Sequence, residues 1–178
     1  MMNFLVNTPP NNLDALKRVE ERSIALLVDM DRFESLIDPV ARLKIALDRL
    51  ALQVIGKAVR DLESLDLLLV RQQSTVEELS AFQADEAGDP ILKATQILQD
   101  SLQALHKQIG IVKVGSTNPD VLELCSFVLL VIRRMFDTTE KMRWAVMELQ
   151  ADADLAASRV NKFSSAADLL QHLHRAAN

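Results

Sequence analysis

"PVARLKIALDRLALQVIGKAVRDLESLDLLLVRQQSTVEEL", residues 39–79, is the stretch on which the fold class turns. Leu43, Leu47, Leu50, Val54, Ala58, Leu62, Leu65, Leu69, Gln72, Val76 and Leu79 follow one another in steps of three and four. The mean step is about 3.6 residues, the period of a straight α-helix rather than of a heptad seam. Unbroken, such a helix is about 60 Å long. A restart at "STVEE" is the competing reading, because Ser74-x-x-Glu77 and Thr75-x-x-Glu78 both have the form of a capping box. The sequence therefore leaves open whether residues 39–87 form one helix or two. Gly56 costs up to about 1 kcal/mol against Ala inside a helix, and close approach of a neighbouring helix is its expected role.

Outward from this stretch, one start signal recurs. Asp38-Pro39, Asp89-Pro90 and Asn118-Pro119 each stand before a long helical pattern. Asp and Asn are good N-caps, and Pro suits the first turn, where its missing N–H has no partner to lose. Upstream, a first helix runs from about Asn12 to Ile37, with Leu13, Leu16, Ile24, Leu27 and Val28 as its apolar face. A third runs from Pro90 to about Gln108 on Leu92, Leu98, Leu102, Leu105 and Ile109. "GIVKVGSTN", residues 110–118, is the expected non-helical connection. A fourth starts at Pro119 with Val121, Cys125, Val128, Ile132 and Met135 on one stripe and apolar residues nearly all round, which suits the centre of a bundle. Its pattern continues through Met142, Val146, Leu149 and Ala153, beside a second stripe of Phe136, Trp144, Met147 and Leu155, with a possible break at Asp137. A short last helix, from Ala166 to about Arg175, has the capping box Ser165-x-x-Asp168. The expected architecture is an all-α bundle of four to six mostly antiparallel helices, one or two of them long. Residues 1–11 are expected to be a flexible N-terminal segment, and 12–178 a single helical-bundle domain.

Composition agrees. The 178 residues include only four glycines and five prolines, too few breakers for an all-β chain, and aromatics are 4% with no Tyr. Leu, Ala, Val and Ile must fill the core. The net charge of −5 opposes non-specific binding to nucleic acid or an anionic membrane. Between Gln72 and Leu92 there are five acids (Glu77, Glu78, Asp85, Glu86, Asp89) and no base, a solvated face that a basic partner could also use. Cys125, the lone cysteine, lies in "LELCSFVLLV" and reads as a buried inert thiol. The apolar run Val121–Phe136 contains Glu123, Arg133 and Arg134 and is too short and charged to span a bilayer. A reducing, cytoplasmic location is expected.

The chemistry most worth testing lies in "ALLVDMDRFESLID", residues 25–38, where an apolar run precedes Asp-x-Asp-x-Phe. Over about ten residues it resembles the first metal motif of diguanylate cyclases. That resemblance implies a strand with Asp29 and Asp31 on one face, and a metal-dependent enzyme. It stops there, because the chain has no Gly-Gly for the second motif of those enzymes and a long helical pattern follows Pro39. As a helix, the stretch sets Asp29 and Asp31 about 200° apart and gathers Asp31, Glu34 and Asp38 within about 60°. Helix without a metal is the expected reading.

The remaining candidates are weaker. No Glu-x-x-His pair of a di-iron bundle occurs. His106 reads as a boundary residue beside the Leu102–Leu105 stripe. Asp168 and His172 stand at i, i+4 as a surface pair. The Arg-then-His order of HEPN ribonucleases is reversed at His172 and Arg175. Arg133, Asp137 and Lys141 fit an exposed ion-pair ladder. No glycine loop for phosphate, zinc spacing or nucleophile elbow is present.

No catalytic residue, metal ligand or cofactor is assigned. The expected function is that of a non-enzymatic helical interaction or regulatory protein. The alternatives are a sensor domain holding a small apolar molecule between the fourth and second helices near Met135, Met142 and Met147, and the Asp29/Asp31 enzyme. Ile45, Leu52, Ile55, Leu67 and Leu68 lie off the main stripe of the second helix and are expected to need covering. A homodimer or a different protein is the expected partner; nucleic acid and a membrane span are not.

Overall fold

The computed structural model describes residues 12–33, 38–79, 88–159 and 165–176. They form α1 (Asn12–Phe33), α2 (Pro39–Leu79), α3 (Gly88–Gly115), α4 (Pro119–Ala156) and α5 (Ala166–Ala176), with no strand among them. The all-α bundle read from the sequence is what the chain forms. Residues 1–11 lie outside the described residues.

The starts follow capping chemistry. The Asp38 carboxylate accepts from the Val40 and Ala41 amides at 2.8 and 2.9 Å, and the Asn118 side chain accepts from the Asp120 amide at 2.9 Å. Ser165 accepts from the Asp168 amide at 3.2 Å, one half of the expected capping box. α3 begins at Gly88, a residue ahead of the expected Asp89 cap.

Both expected interruptions are absent. Ser74 and Thr75 donate to the carbonyls of Val70 and Arg71, one turn back on α2, and so cap nothing. Thr138 and Thr139 do the same to Arg134 and Met135 on α4. Back-bonded hydroxyls sit comfortably inside a helix, which is why the same residue types mislead as start signals. The 110–118 connection is also shorter than expected: α3 continues to Gly115, and only Ser116, Thr117 and Asn118 separate it from α4. A Cβ on Gly110 meets nothing within 4 Å, so neither sterics nor a special backbone angle halts the helix there.

Polar contacts set the register. Arg60 and Arg49 of α2 reach Glu20 and Asp31 of α1, so the two helices run antiparallel. Arg22 of α1 pairs with Asp120 and Glu123 of α4. Ser116, just past α3, donates to Asp48 of α2 at 2.9 Å, while Leu98 of α3 packs with Leu69 of α2 and Met142 of α4. The result is an up-down-up-down arrangement in which α2 and α4 touch across the short diagonal and α1 and α3 flank them.

The core contains Leu16 and Val19 of α1, Leu52, Ile55, Val59 and Leu62 of α2, Leu102, Leu105 and Ile109 of α3, and Val121, Leu124, Cys125, Val128, Val131, Ile132 and Met135 of α4. Ser23 and Thr139 are buried with their hydroxyls bonded to their own helices. The burial corrects three expectations. On α1, Leu16 is core but Ile24 and Val28 are exposed. On α4 the first stripe is buried as expected, whereas Trp144, Met147 and Leu155 of the second are exposed. On α2 the stripe is core only in its second half. Leu43, Leu47 and Leu50 are exposed, and Leu52 and Ile55, expected to need covering from outside, are fully buried. Only Leu67 and Leu68 of that group are exposed as expected. Leu52 and Ile55 share one core cluster with residues of α1, α3 and α4, and the end of α3 is held beside Asp48. Gly56 is buried, yet an added Cβ there meets only the Arg60 guanidinium at 3.8 Å, so no neighbouring backbone requires a glycine.

Candidate interaction surface

Asp29 and Asp31 lie on α1, both exposed, and each is engaged by an arginine: Arg32 at 3.6 Å for Asp29, and Arg49 for Asp31. The two carboxylates diverge around the helix as its geometry requires. Among the described residues no group of three or more His, Cys, Asp or Glu side chains is placed to hold a metal ion. Glu34 lies outside the described residues.

The other candidates are scattered. Cys125 is buried in the core, and burial pushes its thiol upward against a weaker downward pull from Lys113. His106 is exposed on α3. Met135 and Met142 are core residues while Met147 is exposed, so the three do not line one pocket. Arg133, Asp137 and Lys141 are exposed, and among the described residues no ion pair joins them, contrary to the expected ladder. Glu77 and Glu78 are exposed on the last turns of α2; the side chains of Asp85, Glu86, Asp89 and His172 are outside the described residues.

An open groove of about 550 Å³ runs between α1 and α4 over Val19, Leu124 and Phe127. Its mouth holds a paired cation. The Arg22 guanidinium donates to Glu123 at 2.7 Å and to Asp120 at 3.2 Å. The hydrogen bond to Glu123 raises Arg22 and holds the Glu123 carboxyl below its usual range. This cation is already answered by two carboxylates of its own chain.

The feature that stands out is apolar. On the first half of α2, Val40 is 71% exposed, Leu43 63%, Leu47 56% and Leu50 58%. Their spacing confines them to about 80° of the helix surface, in line with the half-buried Val54. Together they present roughly 400 Å² to water, at the scale where a contiguous patch on a monomer marks a contact site. Exposed Ala46, Gln53 and Lys57 border it. The sequence pattern located these leucines but placed them in the core. Their exposure follows from which part of α2 the other helices cover.

A shorter apolar line, Trp144, Met147 and Leu155, is exposed on the last part of α4, and α5 carries exposed Leu169 and Leu170. No helix is long and apolar enough to cross a membrane among the described residues. Set against protein families, curated proteins and solved structures, the chain matches none.

Proposed function

We propose that the protein is a non-enzymatic helical interaction protein that works by docking a protein surface on the first half of α2. The observation behind this reading is the Val40–Leu43–Leu47–Leu50 stripe, which is aliphatic, continuous and held on a helix anchored below by the bundle core. Exposed aliphatic side chains cost about 25 cal/mol for each Å² of apolar surface left in water, and a protein partner recovers that free energy. The groove at Arg22 suits a small molecule less well, because its apolar floor is open to solvent and its cation is neutralised. The Asp29/Asp31 alternative has no support in the placement of those side chains on diverging faces of α1.

A photoreactive amino acid at position 47, compared with one at the exposed Gln103 of α3, tests the reading. Covalent protein adducts are expected at 47 in the producing cells and not at 103. Absence of any protein adduct at 47 overturns it.

A further inference from the structure

We infer that the partner is a second copy of this chain, bound antiparallel through the first half of α2 about a two-fold axis beside Leu47. The inference rests on the reading of this stripe as a docking face and specifies its occupant.

The first argument is the order of residues. Val40, Leu43, Leu47, Leu50 and Val54 read the same in both directions: Val, Leu, Leu, Leu, Val. Laid antiparallel on itself, the stripe sets Leu47 against Leu47 of the second copy, Leu43 against Leu50, and Val40 against Val54. A two-fold interface demands this self-complementarity, because each residue meets on the partner what its own counterpart meets in return. Ala46, exposed on the edge of the same face, leaves room for the helices to approach.

The second argument is charge. Lys57 is exposed at the edge of the stripe, ten residues beyond Leu47. Antiparallel pairing sets the two Lys57 side chains about 30 Å apart, at opposite ends of the stripe. In a parallel arrangement Lys57 would stand beside Lys57.

The third argument is space. Further along α2, Ala58, Leu62 and Leu69 are buried, whereas Val40, Leu43, Leu47 and Leu50 at its start are exposed. The second copy's α2 takes the part of the stripe that the helices of its own chain leave uncovered. The four main side chains contribute roughly 400 Å² from each chain, and with Pro39, Ala46, Gln53 and Lys57 at the edge the pair passes the ~1,000 Å² that separates a specific interface from an incidental contact.

The test combines sedimentation with cysteine cross-linking on the full chain. The wild type is expected to reach twice the 19.9 kDa of one chain at tens of micromolar and to dissociate on dilution. Leu47→Asp is expected to weaken that association at least tenfold with the helical circular-dichroism signal unchanged. The cross-linking arm requires no destabilising change: Leu47→Cys should form a disulfide with itself, and Val40→Cys should pair with Val54→Cys in a mixture but not with itself. Buried Cys125 contributes little background. A single 19.9 kDa chain up to about 100 µM overturns the two-fold pairing. If position 47 then still yields adducts to a different protein, the interaction reading stands and only the second copy falls; with no adducts, both fall. A dimer that survives Leu47→Asp and gives no Leu47→Cys disulfide also overturns the assignment.

Discussion

Val128 and Leu130 are two residues apart on α4, yet Val128 is sealed in the core and Leu130 is about half exposed. Val128→Ala removes methyl groups from a packed site and leaves a cavity, as does Ile132→Ala; each should cost roughly 2–4 kcal/mol in urea unfolding. Leu130→Ala should stay within about 1 kcal/mol. A comparable loss at Leu130 would mean that α1 covers more of α4 than the structure shows. Glu123 offers a test of a different kind. Its carboxyl is held below its usual range by the hydrogen bond from Arg22, so its pKa is lower in the folded chain than in the unfolded one. The pairing stabilises fully above the unfolded carboxylate pKa, about 4.3, and fades as pH falls through the lower folded value. Glu123→Gln should therefore be slightly less stable than wild type near neutral pH, and the gap should close in acid. Equal stability at all pH values would show that solvent screens this exposed pair completely.

At the scale of the helix, the end of α4 holds an unusual backbone angle. Ser158 has φ 57°, in the left-handed region, while its amide bonds the Leu155 carbonyl and the Arg159 amide bonds the Asp154 carbonyl. That is a Schellman ending with serine where glycine usually stands. Ser158→Gly relieves the strain and should raise stability by about 1 kcal/mol. Gly110 presents the converse case. It lies inside α3, has ordinary φ and has open space around a Cβ, so Gly110→Ala should add about 0.5–1 kcal/mol. Thermal unfolding of the two variants checks both, and a drop in midpoint for Gly110→Ala would place a neighbour against α3 that the structure does not show. Helix starts were legible because a side chain within a few residues of the break supplies the missing hydrogen bond. The false breaks at Ser74 and Asp137 arose because residues of capping type also occur inside a helix, where the Ser74 and Thr138 hydroxyls bond carbonyls one turn back.

For the whole molecule, register between helices decides what each apolar residue does. Leu52 and Ile55 are fully buried in the core, and truncating either to Ala should cost roughly 2–4 kcal/mol. Leu43→Ser and Leu47→Ser should change the unfolding of a dilute, monomeric sample by no more than about 0.5 kcal/mol, since neither touches the core. Unfolding by urea at low protein concentration measures all four, and a large loss at Leu43 would restore the straight stripe to the core. The fold class and the core role of Val121, Cys125, Val128, Ile132 and Met135 were set by the sequence alone, while the number of helices was bounded at four to six. A 3.6-residue period and a cap act within one helix and need no knowledge of its neighbours. The exposed stripe was not legible, although Leu43, Leu47 and Leu50 follow the helical period. Periodicity marks which residues share a face of α2. It carries no information on how much of that face the other helices cover, and their packing buries Ala58 and Leu62 while leaving Val40, Leu43, Leu47 and Leu50 in water.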